Sequence, residues 1–177
     1  MGAIAAPRLW IQPDPVYIPP MIEHLQSHLL GLVHTTTALV ALILGLIMIL
    51  RRKGGRSHRW IGRCYLVAML ALNITALMIY DLYGRFGPFH WMALFSLLTV
   101  LGGYRAARRK VGNWRHPHAY YMTGSFVGLV AATVAEIASR VPGWSFGASV
   151  VISSTLVIVI GVVIMFKRVP ATVGGNK

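Results

Sequence analysis

Four histidines stand at or near the start of four different apolar runs: His34, His58, His90 and His118. A neutral imidazole is a good ligand for haem iron, zinc or copper, and it holds such a centre when two or more rings converge on one point. The stretch SHRWIGRCYLVAML, Ser57 to Leu70, shows the pattern. Its histidine sits at the mouth of the run, with Gly62 four residues on and Tyr65 seven on. Whether the four rings converge depends on the elements that carry them.

Those elements belong in a membrane. The 177 residues are 56% hydrophobic and 12% charged, whereas a soluble domain carries roughly 25% charged residues. Runs of about 20 apolar residues match a hydrocarbon core about 30 Å thick. Five are visible: Leu29–Leu50, Trp60–Tyr80, Phe89–Tyr104, Ala119–Ser139 and Phe146–Phe166. Spans must satisfy their own backbone, so helices are expected. The expected fold is an all-α integral membrane protein with five transmembrane helices, four forming an antiparallel bundle and the fifth packed alongside.

Residues 1–28 are read as an extracytoplasmic arm and the start of the first helix, 29–166 as the membrane domain, and 167–177 as a cytoplasmic tail. Pro7, Pro13, Pro15, Pro19 and Pro20 forbid a helix in the arm. Trp10 and Tyr17 are expected at the headgroups. A helix from Met21 would carry His24 and His28. The first residues lack the basic start and apolar core of a cleaved signal peptide, and disorder is expected after Pro170.

The net charge of +13 is distributed by topology. Arg51, Arg52, Lys53, Arg56 and Arg59 fill the first loop; Arg105, Arg108, Arg109, Lys110 and Arg115 fill the third; Lys167, Arg168 and Lys177 follow the fifth span. This positive-inside pattern puts the N-terminus outside and the C-terminus in the cytoplasm. All four acids, Asp14, Glu23, Asp81 and Glu136, then fall in the outer half. Charge arranged this way argues against nucleic acid as a partner and for the lipid bilayer, including anionic lipid.

In this topology the histidines form two layers. His34 and His90, from spans one and three, lie near the outer face; His58 and His118, from spans two and four, lie near the inner one. In a four-helix bundle these are the two diagonal pairs, and each could grip a b-type haem from both sides. Gly31, Gly45, Gly62, Gly124 and Gly128 suit close helix packing first, and would otherwise leave room for a macrocycle. Arg59 and Arg63 flank His58 and would hold haem propionates or an anionic quinone headgroup, unless they snorkel to lipid headgroups.

Span four carries His118, Met122, Ser125, Leu129, Ala132, Glu136 and Arg140 on one stripe. Glu136 lies about five turns from His118 and reaches the outer layer. There it either completes a zinc, iron or copper site with His34 and His90 or pairs with Arg140 at i+4. Asn73 is expected to bond across helices, and Cys64, the lone cysteine, to fill a small packing position.

HTTTALVALILG in span one, HRWIGRCYLVAML opening span two, GPFHWMALFSLLTVLGGYRAARR over span three and His118-xxx-Met122 in span four together resemble the bacterial DUF2306 family of predicted membrane proteins, over roughly Leu29 to Arg140. The four histidines fall on family-like positions. The chain departs from a common form of the family in having Pro117 before His118 and Ala119 after it. The resemblance implies a helical protein of the bacterial inner membrane and supplies no reaction. The paired-histidine layout is similar in arrangement to cytochrome b561 proteins.

The leading expectation is a haem-binding electron-transfer protein, with a quinone or a redox protein as partner. The alternatives are a non-catalytic accessory subunit of a larger membrane complex and the outer-face metal site. Hydrolytic motifs such as H-E-x-x-H and G-x-S-x-G are absent from the sequence.

Overall fold

A computed structural model describes residues 20–51, 53–80 and 84–174. The proline-rich arm with Trp10 and Tyr17, and the acids Asp14 and Asp81, lie outside the described residues. Five helices follow in order: α1 Pro20–Leu50, α2 Gly55–Met78, α3 Pro88–Arg109, α4 Arg115–Ala138 and α5 Phe146–Gly174. The described residues contain no strand.

Four of these helices are long and apolar enough to cross a membrane: α1 over His28–Leu50, α2, α4, and α5 over Phe146–Pro170. Helix α3 is not among them. Its apolar part, Phe89–Tyr104, spans about 24 Å at 1.5 Å per residue, and Arg105, Arg108 and Arg109 close the helix. Those cations suit a C-terminus, where the unsatisfied carbonyls leave partial negative charge.

Helix ends differ from the expectations where charge or proline masks them. Helix α2 begins at Gly55 and α4 at Arg115, each about a turn before its apolar run. Pro117 is third in α4, inside the first turn, where its missing N–H would have had no helical partner. The His118 N–H makes a backbone bond to the Trp114 carbonyl at 3.1 Å. Pro117 therefore leaves the register of His118 intact. The expected disorder after Pro170 is also corrected: α5 runs through Pro170 to Gly174.

Helices pack as α1 on α2, α2 on α3, α3 on α4 and α4 on α5, with a lighter α1–α4 contact. The first four thus surround one core, with α2 diagonal to α4 and α1 to α3. Ala41, Tyr65, Ala68, Met69, Leu72, Val100 and Leu129 form that core. Contacts also show which ends meet. His34, early in the apolar span His28–Leu50 of α1, meets Thr75, late in α2; Gly103, late in α3, meets His118, early in α4; Tyr120, early in α4, meets Phe166, late in α5, with ring centroids 5.6 Å apart.

Glycines set the close approaches. A Cβ on Gly45 would run into the Phe126 ring, and one on Gly103 would lie 2.6 Å from Met122 Sδ. Gly45 is therefore a packing residue between α1 and α4. Gly31, Gly124 and Gly128 have nothing within 4 Å of an added Cβ. At the centre, Ser125 Oγ donates to the Met122 carbonyl at 2.8 Å, so the Tyr65 hydroxyl, 3.0 Å away, donates to Ser125.

Candidate functional site

His58 and His118 each occupy the fourth position of their helix. Their helices start at the same end of the bundle, on opposite sides of its core. The rings come within 6.4 Å, centroid to centroid, with planes 78° apart. Two imidazoles that ligate one metal from opposite sides keep each nitrogen about 2 Å from it, which places the ring centroids about 6 Å apart. A near-perpendicular pair is compatible with that, because two rings on one axis can rotate independently.

A hydrogen bond also fixes the His118 ring. Nδ1 lies 2.9 Å from the Gly103 carbonyl oxygen. A carbonyl only accepts, so Nδ1 carries the hydrogen and Nε2 keeps its lone pair in the neutral ring. Donation of the second ring N–H to a backbone carbonyl is the usual way a protein fixes a metal-binding imidazole. The Trp114 ring sits 6.0 Å from the His118 ring. Met122 fills the space that a side chain on Gly103 would take.

His58 also lines a cleft of about 290 Å³ with Met48, Arg51, Gly54, Ser57 and Ile61. The cation at this mouth is Arg51. Arg59 and Arg63 are exposed and do not line the cleft. The sequence expectation named the two arginines nearest His58 in number. Arg51, seven residues upstream, is brought back by the α1–α2 turn.

The outer layer is built differently. Thr75 Oγ1 donates its one hydrogen to the carbonyls of Ala71 and Leu72, at 2.9 Å each, so it accepts from His34 Nδ1 at 3.1 Å. His34 thus also presents an Nε2 lone pair. His90 does not. Its Nδ1 accepts the Gly87 N–H at 3.2 Å, capping the start of α3. The neutral ring then carries its hydrogen on Nε2, which is buried and has no partner among the described residues. Tyr80 and Phe86 rings cover it, at 4.6 and 4.7 Å. A ring protonated on Nε2 cannot ligate a metal through that atom.

Glu136 pairs with Arg140, Nη2 to Oε1 at 2.8 Å, and is 45% exposed. Among the described residues no three of His, Cys, Asp and Glu form a metal-sized group. His34, His90 and Glu136 are therefore not brought together as one site. Asn73 is buried but bonds its own helix, donating to the Met69 carbonyl at 2.7 Å rather than across to a neighbour. Cys64 is exposed on α2 instead of filling a packing position.

Neither a curated protein nor a solved structure matches the chain. A family model, described as predicted membrane protein (DUF2306), matches residues 31–167. That range holds all four histidines and extends past the region of resemblance into α5. The chain belongs to the DUF2306 family of predicted membrane proteins.

Proposed function

We propose that this protein is a membrane electron-transfer component whose inner histidine pair, His58 and His118, holds one b-type haem. The observation that carries the reading is the facing of the two rings at 6.4 Å together with the Nδ1–H of His118 fixed on Gly103. A haem can be held by two protein ligands, so a pair suffices where a trio is lacking. Bound iron would supply one-electron chemistry. His118 and His58 would hold the iron, and Arg51 would offer its guanidinium to a propionate.

Two features of the site bear on fit. The cleft beside His58 lies near the lower end of ligand-pocket volumes, about 300 Å³, so the reading requires the α1–α2 mouth to open around a porphyrin. The outer pair offers less support: His34 is oriented for ligation, whereas His90 is committed to capping α3. The reading therefore has one haem, not two.

The same proposal includes the topology. The end-to-end contacts support an up-and-down antiparallel bundle, in which α3 would make the fifth crossing beside the four long apolar helices. Trp91, Phe95 and Leu98, each about two-thirds exposed, give α3 a lipid-facing stripe that its mean hydropathy hides. With the basic connections cytoplasmic, the N-terminus is outside a bacterial inner membrane and the C-terminus inside.

The test is the absorption spectrum of protein purified from haem-supplemented cells. A Soret band and a reducible α band, both lost in His118→Ala, support the reading. A folded, colourless wild type removes it.

A further inference from the structure

Among the described residues the basic end of α3 has no ion-pair partner. Arg105, Arg108 and Arg109 are exposed, and among the described residues the one ion pair is Arg140–Glu136. The sequence holds no acid between Asp81 and Glu136. The three arginines line an open groove of about 540 Å³ whose floor is Leu101 and Tyr104. Positions 101, 104, 105 and 108 are spaced i, i+3, i+4 and i+7, so they share one face of the helix. Arg108 lies over the Tyr104 ring at 5.9 Å, which holds its guanidinium against the groove. Toward the middle of α3, Leu98 and Phe95 continue the same side as exposed apolar surface, 69% and 65% exposed.

We infer that this groove is a binding site for an anionic phospholipid. Its phosphate would sit among Arg105, Arg108 and Arg109, and an acyl chain would lie along Leu101, Leu98 and Phe95. Guanidinium groups match phosphate oxygens in paired hydrogen bonds. At a membrane surface each nearby Lys or Arg adds to the attraction for an acidic headgroup. The apolar floor decides between sources of phosphate, because a free ion would make no use of Leu101 or the stripe beyond it. This site is independent of the haem reading.

The experiment is native mass spectrometry of the full-length protein in mild detergent, titrated with phosphatidylglycerol, with phosphatidylcholine, or with inorganic phosphate alone. Wild type should retain phosphatidylglycerol adducts at concentrations where phosphatidylcholine leaves none, and inorganic phosphate should not displace them. The triple variant Arg105→Gln, Arg108→Gln, Arg109→Gln should weaken adduct formation by about tenfold or more, given the gain per cation at an acidic surface. The control Lys53→Gln, in the first connection, should leave it unchanged. Equal retention of both lipids by wild type overturns the proposal without any variant, which covers a triple variant that fails to fold. Displacement by inorganic phosphate, or undiminished adducts in a folded triple variant, overturns it as well.

Discussion

His58 and His118 face each other from the fourth positions of α2 and α4, their rings 6.4 Å apart and 78° from parallel. Side chains so placed come from helices on opposite sides of the core. The pair closes the basic end of the bundle, while Tyr65 and Ser125 close its middle.

If this pair is the ligand set, the outer histidines are dispensable for the spectrum. His34→Ala and His90→Ala should each leave the haem absorption within about 10–20% of wild type per mole of protein. His90→Ala should also lower stability by about 0.5–2 kcal/mol, the range for loss of a helix cap. Spectra and thermal melts on the same samples check both. Loss of the band in His90→Ala, with the protein folded, would contradict the single inner site.

Gly103 supports the site through its backbone and through the space it leaves. In Gly103→Ala the added Cβ meets Met122 Sδ at 2.6 Å, and overpacking of this kind costs about 1–3 kcal/mol. The carbonyl that orients His118 should shift with it. The expected outcome is a lower melting temperature and a broadened or shifted Soret band. An unchanged melt and spectrum would show that the Gly103–His118 bond does not set the ring.

Gly45 and Gly31 make a matched pair of tests on one helix. Gly45→Ala should be destabilising by about 1–3 kcal/mol because the Phe126 ring occupies the space. Gly31→Ala meets nothing and should be neutral or stabilising by up to about 1 kcal/mol, the helix-propensity gain. Equal melting temperatures for the two variants would contradict the α1–α4 packing.

Tyr65→Phe should cost about 1 kcal/mol by thermal or chemical denaturation, since it removes one buried hydrogen bond and leaves Ser125 with an unmet acceptor. Glu136→Gln should change stability by less than about 1 kcal/mol, as expected for an exposed pair. A larger effect at Glu136 would place that carboxylate in the interior.

Much of this arrangement was legible in the sequence, and the parts that were not have local causes. The inner pair follows from histidine depth and chain direction, because both helices start at the same end and alternate helices of an up-and-down bundle are diagonal. Glu136 with Arg140 follows from i, i+4 spacing alone. His90 escaped because its fate is decided within one turn: Gly87 and Pro88 start α3, and a histidine three residues after the cap can fold back onto the Gly87 N–H. Arg51 escaped because number proximity favoured Arg59 and Arg63, which the helical rotation of α2 turns outward. Asn73 shows the limit for buried amides, whose own i−4 carbonyl is always within reach. The apolar run of α3 stops at Tyr104, yet the helix continues, since arginine is a good helix former.

The central claim is that His58 and His118 jointly hold one haem iron. Its most direct test is the reduced-minus-oxidised absorption spectrum of purified wild type beside folded His58→Ala and His118→Ala. The account predicts a reducible α band in wild type at one haem per chain, lost or converted to a five-coordinate spectrum in either variant. A folded wild type that stays colourless after haem supplementation, or a band that survives both substitutions, contradicts it.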